Sequence, residues 1–374
     1  MRFKSFLLVA ACAAAMALST GVAQADNYLT TPKDLKQQGI DTETFFPACF
    51  APDGRSIAGY FVGSSKDIAE GKKYTIAVLD LDSKNKVTNT RLYKVNVPFF
   101  EQMTFTPDSQ DLIFTSRAGA TFQKLHLATG EVTVLMEHKN GEPGFRCYPL
   151  VLAIYGDKVM ATGYFYDKDN YGERNALAFI DPNKTGVEAF TKIAEIQKAQ
   201  NKSHKGYTFY HENLTSPNYA FLVDSNDAKV DYRVWKVGDD TLKLKAFDSG
   251  VEDLTMWGSG DRLLYSVKKG DKAHDLVVYD ASNDTKYELA TGTETPYMSA
   301  FLSNDGTTAL FSTLNKKGDR SRSFYARESE GWQIKPIKGY HERQRGLQRI
   351  SPDGKRMFLY TEKGLNVFDI VGEK

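Results

Sequence analysis

Hydrophobic and polar residues alternate near the end of the chain in a pattern typical of short strands. Residues 349–370, RISPDGKRMFLYTEKGLNVFDI, contain two apolar runs, and polar turn residues precede each of them. Ser351-Pro352-Asp353-Gly354 fits a type I turn, because serine bonds back into the turn, proline fixes φ at the second position and glycine relaxes the last. We therefore predict a strand, a tight turn and two further strands.

The same turn recurs upstream, each time before a short apolar strand. Successive copies lie roughly 40 to 60 residues apart, which is the length of a propeller blade. With the last copy there are seven, and the six upstream copies are Ala51-Pro52-Asp53-Gly54, Thr106-Pro107-Asp108-Ser109, Tyr155-Gly156-Asp157, Ser216-Pro217-Asn218-Tyr219, Gly258-Ser259-Gly260-Asp261 and Ser303-Asn304-Asp305-Gly306.

Further short strands follow each turn, for example YTIAVLDLDS and DLVVYDASND, whereas good helical segments are few. Four antiparallel strands per repeat predict an all-β fold, a seven-bladed β-propeller. Residues 194–206 are the clearest exception and predict a helical insertion or a long loop. The last repeat is one strand short, and an open blade would leave an unpaired sheet edge. We therefore expect residues within 27–45 to supply the missing outer strand.

Residues 1–25 have the pattern of a secretory signal peptide. A basic start and an apolar core precede Ala-Gln-Ala, a small-x-small cleavage site that ends before Asp26. We predict a periplasmic or secreted protein, with residues 26–374 as one propeller domain and no transmembrane segment after cleavage. The residues before Cys12 also resemble a lipoprotein cleavage box, so lipidation of Cys12 stays open.

Charge and cysteine content narrow the classes of partner only a little. The formal net charge is +1, and removal of the signal peptide keeps the balance near zero, so nothing favours nucleic acid. Cys49 and Cys147 remain after cleavage, and in an oxidising compartment they could pair. They lie near the first strands of repeats one and three, which are not neighbours, so their pairing stays open.

The pattern x-S-P-D-G-[KR]-x-[IM]-x-[FY] at 351–360, echoed at 51–61, resembles the WD40-like repeats of TolB-type propellers. The resemblance covers most of the mature chain as a repeat pattern. The segment before the first repeat is too short for the N-terminal α/β domain of TolB proteins, so we expect that domain to be absent. The turn also occurs in propellers of prolyl oligopeptidase-type enzymes. There is no G-x-S-x-G motif here, so we expect no peptidase chemistry.

The first strand of each blade lines the central channel, and the residues that lead into it form one rim of that channel. Polar and aromatic residues concentrate in these segments. The predicted ligand-binding residues are Arg146, Tyr148, His211, Glu252, Tyr297 and Arg345. His211 lies beside Glu212 and is a weak candidate for a catalytic base. The six histidines show no tight ligand spacing, so we predict neither a metal site nor another cofactor.

Two functions fit this pattern. The first is an exported propeller that acts as a binding scaffold in the bacterial cell envelope, as a monomer that holds an envelope protein or a small ligand at the channel rim. The second is a lyase or hydrolase of acidic sugars at the same rim, with His211 or a tyrosine as base and Arg146 or Arg345 as the group that neutralises charge. The enzyme requires these side chains to share one pocket.

Overall fold

The computed structural model describes residues 28–116, 120–139, 144–166, 174–197, 208–209, 216–226, 229–238, 245–248, 256–269, 273–293 and 297–370. Within these ranges the chain folds into seven antiparallel sheets, and the strands of each sheet follow one another in sequence. Innermost strands contact one another between most neighbouring sheets, and the last sheet returns to the first. The predicted all-β propeller is confirmed.

The strands are as follows. Blade 1 contains β1 (Phe46–Phe50), β2 (Ser56–Val62), β3 (Tyr74–Leu81) and β4 (Val87–Val95). Blade 2 contains β5 (Met103–Phe105), β6 (Asp111–Ser116), β7 (Thr121–His126) and β8 (Val132–Glu137). Blade 3 contains β9 (Gly144–Tyr155), β10 (Lys158–Tyr166), β11 (Arg174–Ile180) and β12 (Phe190–Gln197). Blade 4 contains β13 (Thr208–Phe209), β14 (Tyr219–Asn226), β15 (Lys229–Lys236) and β16 (Lys245–Asp248).

The remaining elements complete the ring. Blade 5 contains β17 (Met256–Ser259), β18 (Arg262–Lys269), β19 (Ala273–Asp280) and β20 (Thr285–Thr293). Blade 6 contains β21 (Tyr297–Leu302), β22 (Thr308–Leu314), β23 (Arg320–Arg327) and an outer strand in two pieces, β24 (Lys335–Pro336) and β25 (Arg343–Gln344). The last sheet contains β26 (Leu347–Ile350), β27 (Arg356–Thr361) and β28 (Gly364–Asp369). In the described ranges the helical segments are α1 (Pro32–Gln37), α2 (Ser65–Ala69) and two 3-10 turns, Gly186–Ala189 and Glu328–Glu330.

The prediction of seven four-stranded blades is wrong, because only six of the seven sheets form complete blades. Six blades have four strand positions, whereas the last sheet has three strands. At its fourth position Thr30 forms an isolated antiparallel bridge with Leu365, with N···O distances of 3.2 and 2.9 Å. The strand cannot continue because Thr31 caps α1 through Asp34, and Pro32 has no N–H to donate. The expected closing segment is thus a single bridge followed by a helix.

Helix α1 nevertheless closes the ring by packing. Leu35 is fully buried in a cluster that joins Phe50 and Ile57 of blade 1 to Phe358 and Val367 of the last sheet. Burying a leucine side chain stabilises the fold by roughly 1.5–3 kcal/mol. The N-terminal segment therefore connects the two ends of the ring through apolar contacts more than through strand pairing.

The Ser-Pro-Asp-Gly turn has the expected local bonds. The Ser351 hydroxyl donates to Asp353 (2.6 Å) and accepts from the Arg356 N–H (2.9 Å), while Gly354 donates its N–H to the Ser351 carbonyl (2.9 Å). Gly354 has φ +67°, a conformation that glycine adopts without strain. The turn is thus determined by its own residues.

Beta-bulges interrupt the outer strands of blades 1 to 5 in the described residues. In β8, for example, Met136 and Val134 oppose neighbouring residues of β7, so Leu135 is the extra residue. A bulge twists the free edge of a sheet and disfavours pairing with another chain.

Other predictions fall partly on described residues. Residues 194–197 end β12, so the expected helix or loop does not begin at 194, and 198–207 lie outside the described residues. The signal segment, Cys12 included, also lies outside them. Among the residues that the structure covers, no helix is long and apolar enough to span a bilayer.

Candidate functional site at the mouth of the channel

The channel has two different ends. We call the end with the Ser-Pro-Asp-Gly turns the turn end. We call the opposite end, where the innermost strands begin, the mouth. In the described residues the mouth is formed by segments that lead into innermost strands and by second-to-third-strand loops, namely 38–45, 63–73, 96–102, 315–319 and 338–346.

Side chains cross between blades at the turn end. Asn304 of blade 6 donates from Nδ2 to the Ile154 carbonyl of β9 (3.2 Å), and its backbone N–H donates to the Pro352 carbonyl (2.9 Å). Asn218 of blade 4 donates to the Tyr155 hydroxyl (3.3 Å). Because blades 3 and 6 are not neighbours, the first bond spans the ring. These contacts cross the channel at the turn end.

As far as the structure describes them, three innermost strands are bulged in the half nearest the mouth. The ladder is irregular between Pro47 and Cys49 in β1 and between Tyr297 and Ser299 in β21. In β9 the irregularity is larger, because 147–150 lie opposite the single residue Gly163. Bulges redirect side chains and are common beside functional sites. The ladder is therefore irregular beside the mouth in β1, β9 and β21.

Exposed apolar side chains lie at the mouth of blades 1 and 2. Phe46, Ile68 and Phe99 are 41%, 46% and 42% exposed. Phe46 packs on Tyr60 (ring centroids 5.5 Å apart), and Tyr60 stacks on Phe100 (4.7 Å). We call Phe46 and Phe99 the aromatic rim, and Phe46 rests on the half-buried ring of Tyr60.

Charged side chains flank the aromatic rim. The Lys94 ammonium lies 2.5 Å from the Asp67 carboxylate, and this hydrogen bond holds the pKa of Asp67 at about 2. Asp67 also accepts from Ser64, which caps α2. The Lys73 ammonium donates to the Pro98 carbonyl (2.8 Å). These contacts fix the loop beneath Ile68 in a defined position.

The structure places only some of the predicted ligand-binding residues. Arg345 is exposed at the mouth, and its N–H donates to the Asp319 carbonyl (3.2 Å). Tyr297 is 4% exposed and packs edge-on against Phe311 (5.7 Å), so its ring belongs to the core between blades 5 and 6. Arg146 and Tyr148 lie in β9, but their side chains are outside the described residues.

The other two predicted residues, His211 and Glu252, lie outside the described ranges altogether. The described residues therefore do not test whether the six side chains converge, and their convergence stays a prediction. Within the described residues, no three His, Cys, Asp or Glu side chains form a group that could hold a metal ion.

A buried polar network near the mouth involves one residue, Tyr340, that sequence reasoning missed. The Tyr340 hydroxyl bonds to Ser321 (3.1 Å) and accepts from Gln348 (3.2 Å), whose Oε1 accepts from Ser323 (3.2 Å). Burial raises the pKa of Tyr340. A tyrosine in a connecting segment gives no sequence signal of its burial. The network joins blade 6 to the last sheet.

Cys49 is a free thiol in β1. Burial raises its pKa to about 12, so the thiol is protonated at neutral pH and is a poor nucleophile. The side chain of Cys147 lies outside the described residues. Cys49 is therefore not a candidate catalytic group.

No protein-family model matches the chain, and no curated protein matches it in sequence. Solved structures do match. An oligogalacturonate lyase from Vibrio parahaemolyticus is 9% identical, with a TM-score of 0.56 over 88% of this chain and 90% of that chain. An oligogalacturonate lyase in complex with manganese is 12% identical, with a TM-score of 0.54 over 88% and 89%.

A third match is the propeller domain of the Trilobed protease from Pyrococcus furiosus, which has an open velcro topology. It is 15% identical, with a TM-score of 0.50 over 89% of this chain and 95% of that domain. At these identities the likeness shows the fold alone. The predicted resemblance to WD40-like β-propellers is confirmed at that level.

Proposed function

We propose that this protein is an exported propeller of the bacterial envelope, periplasmic or secreted, that binds a partner at the mouth of its channel. The aromatic rim is the observation that supports this proposal most directly. Phe46 and Phe99 leave large apolar surfaces in water beside the opening, and exposed aromatic groups of this kind are typical of binding sites. An apolar segment of an envelope protein or a small ligand would bury them.

We also propose that the protein is a monomer. The bulged outer strands disfavour association through sheet edges. Export rests on the pattern of residues 1–25.

Site-specific photo-crosslinking in the producing cell tests the binding face. A photoreactive residue at Phe99 should capture a partner, whereas the same residue at Lys84, exposed at the turn end, should not. The captured partner, once identified and purified, should bind Phe46→Ala and Phe99→Ala about tenfold or more weakly than the parent chain. Equal capture at both positions, or unchanged affinity in both variants, would contradict the proposal.

The second candidate is a lyase or hydrolase of acidic sugars at the same mouth. The observation in its favour is the wide bulge of β9, which places 147–150 out of register beside the channel. Turnover of acidic oligosaccharides by the parent chain and its loss in His211→Ala would support the enzyme. No turnover across such substrates would leave the binding scaffold as the function.

A further inference from the structure

A cleft of about 320 Å³ lies at the turn end, between blade 6 and the last sheet, on the face opposite the mouth. Its lining is polar and consists of Thr307, Thr308, Arg327, Glu328, Ser329 and Asp353. Neither the proposed binding at the mouth nor the enzyme alternative involves these residues.

Arg327 belongs to a series of arginines that connect neighbouring sheets. Each donates to the carbonyl of the glycine that ends the next turn: Arg262 to Gly306 (3.3 Å), Arg327 to Gly354 (3.2 Å) and Arg356 to Gly54 (3.1 Å). The three arginines therefore share one structural role. They differ in their counter-ions.

Two of the three arginines form ion pairs. Arg262 contacts Asp280 (2.9 Å) and Glu328 (2.5 Å), and Arg356 contacts Asp369 (3.3 Å). Arg327 has no carboxylate within ion-pair distance in the part of the chain that the structure describes, and its buried Nε has no hydrogen-bond partner there. A buried donor without a partner is costly, so such a group calls for a bound water or ion.

The neighbouring charges define what the cleft can accept. Arg262 already neutralises Glu328 with two bonds of 2.8 and 2.5 Å. Asp353 accepts from the Ser351 hydroxyl (2.6 Å) and the Lys355 N–H (3.0 Å), and its negative charge is only partly balanced by the exposed Lys355 ammonium at 3.9 Å. An anion at Arg327 can accept two parallel hydrogen bonds from the N–H groups of the planar guanidinium. A dianion would be repelled by Asp353, whereas a hydroxyl group could donate to it.

We propose that the cleft binds a small monoanionic hydroxycarboxylate, with its carboxylate on the Arg327 guanidinium and its hydroxyl group toward Asp353. The side chains of Thr307 and Ser329 supply further polar contacts at the cleft wall. This site is independent of the mouth.

Isothermal titration calorimetry of the purified full chain tests the proposal with three probes: lactate, its neutral methyl ester and inorganic phosphate. Lactate should bind, the ester should not, and phosphate should bind more weakly than lactate. Arg327→Gln should weaken lactate binding about tenfold or more, since it removes a charged hydrogen bond. Arg356→Gln is the matched control, because it removes the same kind of inter-sheet bond at a residue that does not line the cleft. The affinity of this variant for lactate should stay within about twofold of the parent value.

Arg327→Lys separates folding from binding. It retains the positive charge but not the planar fork, so it should fold and bind lactate with an affinity between those of the parent and Arg327→Gln. Absence of lactate binding by the parent chain would overturn the proposal. Equal binding by the ester, preference for phosphate, or equal losses in Arg327→Gln and Arg356→Gln would also overturn it.

Discussion

The turn end and the mouth of this propeller both consist of loops between strands but are held in different ways. At the turn end, short loops repeat one pattern, and at three successive junctions an arginine joins one sheet to the next turn. At the mouth, loops differ in length and sequence, three innermost strands are bulged, and phenylalanines lie in solvent.

The comparison separates residues that maintain the ring from residues that are available for function. Gly354 at the turn end is enclosed, because a Cβ there would lie 2.8 Å from the Thr308 hydroxyl and 2.9 Å from Ser303. Gly318 at the mouth has nearly the same φ, +74°, yet a Cβ there would have nothing within 4 Å. Loops on a rigid scaffold vary where packing does not constrain them.

Of two glycine substitutions at the two ends, the larger effect is expected from Gly354→Ala. The added methyl group meets both the strain of positive φ, about 1–2 kcal/mol, and overpacking of roughly 1–3 kcal/mol. Gly318→Ala introduces only the strain of positive φ, so its free energy of unfolding should fall by about 1–2 kcal/mol. Urea unfolding of both variants measures the difference. Equal losses would mean that the turn end is packed no more tightly than the mouth.

The turns were predictable from sequence because their bonds are local. Ser351, Asp353 and Gly354 satisfy one another within four residues, so the pattern alone determines the geometry. The number of complete blades was not predictable in the same way. It depends on Thr31 and Pro32 starting a helix where a strand was expected, which is a competition between two local structures.

The mouth was harder to predict because a bulge reverses the alternation of side chains. Without the irregularity in β21, Tyr297 would share a face with Ser299 and Phe301. With it, Tyr297 packs in one cluster with Ala300 and Leu302 and is buried. Sequence periodicity cannot reveal where a bulge lies, so the direction of each residue near the channel was uncertain from sequence.

A smaller effect is expected when the loop at 63–73 loses its ion pair. The Lys94 hydrogen bond holds the pKa of Asp67 at about 2, below its ordinary value of 3.8. A depressed pKa stabilises the folded loop above about pH 4, and that contribution is lost as the pH falls toward 2. Asp67→Asn should lower the melting temperature at pH 7 and flatten its pH dependence between 4 and 2.

Lys94→Met is the matched control for that experiment, since it removes the partner but keeps the carboxylate. It should raise the pKa of Asp67 toward its ordinary value and so reduce the same pH dependence. If both variants retain the parent profile, the acid transition arises elsewhere, and the mouth is held by packing alone.

The smallest effect on stability is expected at the aromatic rim, where adjacent phenylalanines give a direct comparison. Phe100 is 8% exposed and packs on Tyr60, Tyr74 and Phe114, so Phe100→Ala should cost about 3–5 kcal/mol in urea unfolding. Phe99 is 42% exposed. The free energy of unfolding of Phe99→Ala should therefore stay within about 0.5 kcal/mol of the parent value. A side chain that the fold does not need, yet that exposes a large apolar surface beside the channel, is best explained by binding. A loss at Phe99 as large as that at Phe100 would assign both residues to packing and remove the main support for a binding site at the mouth.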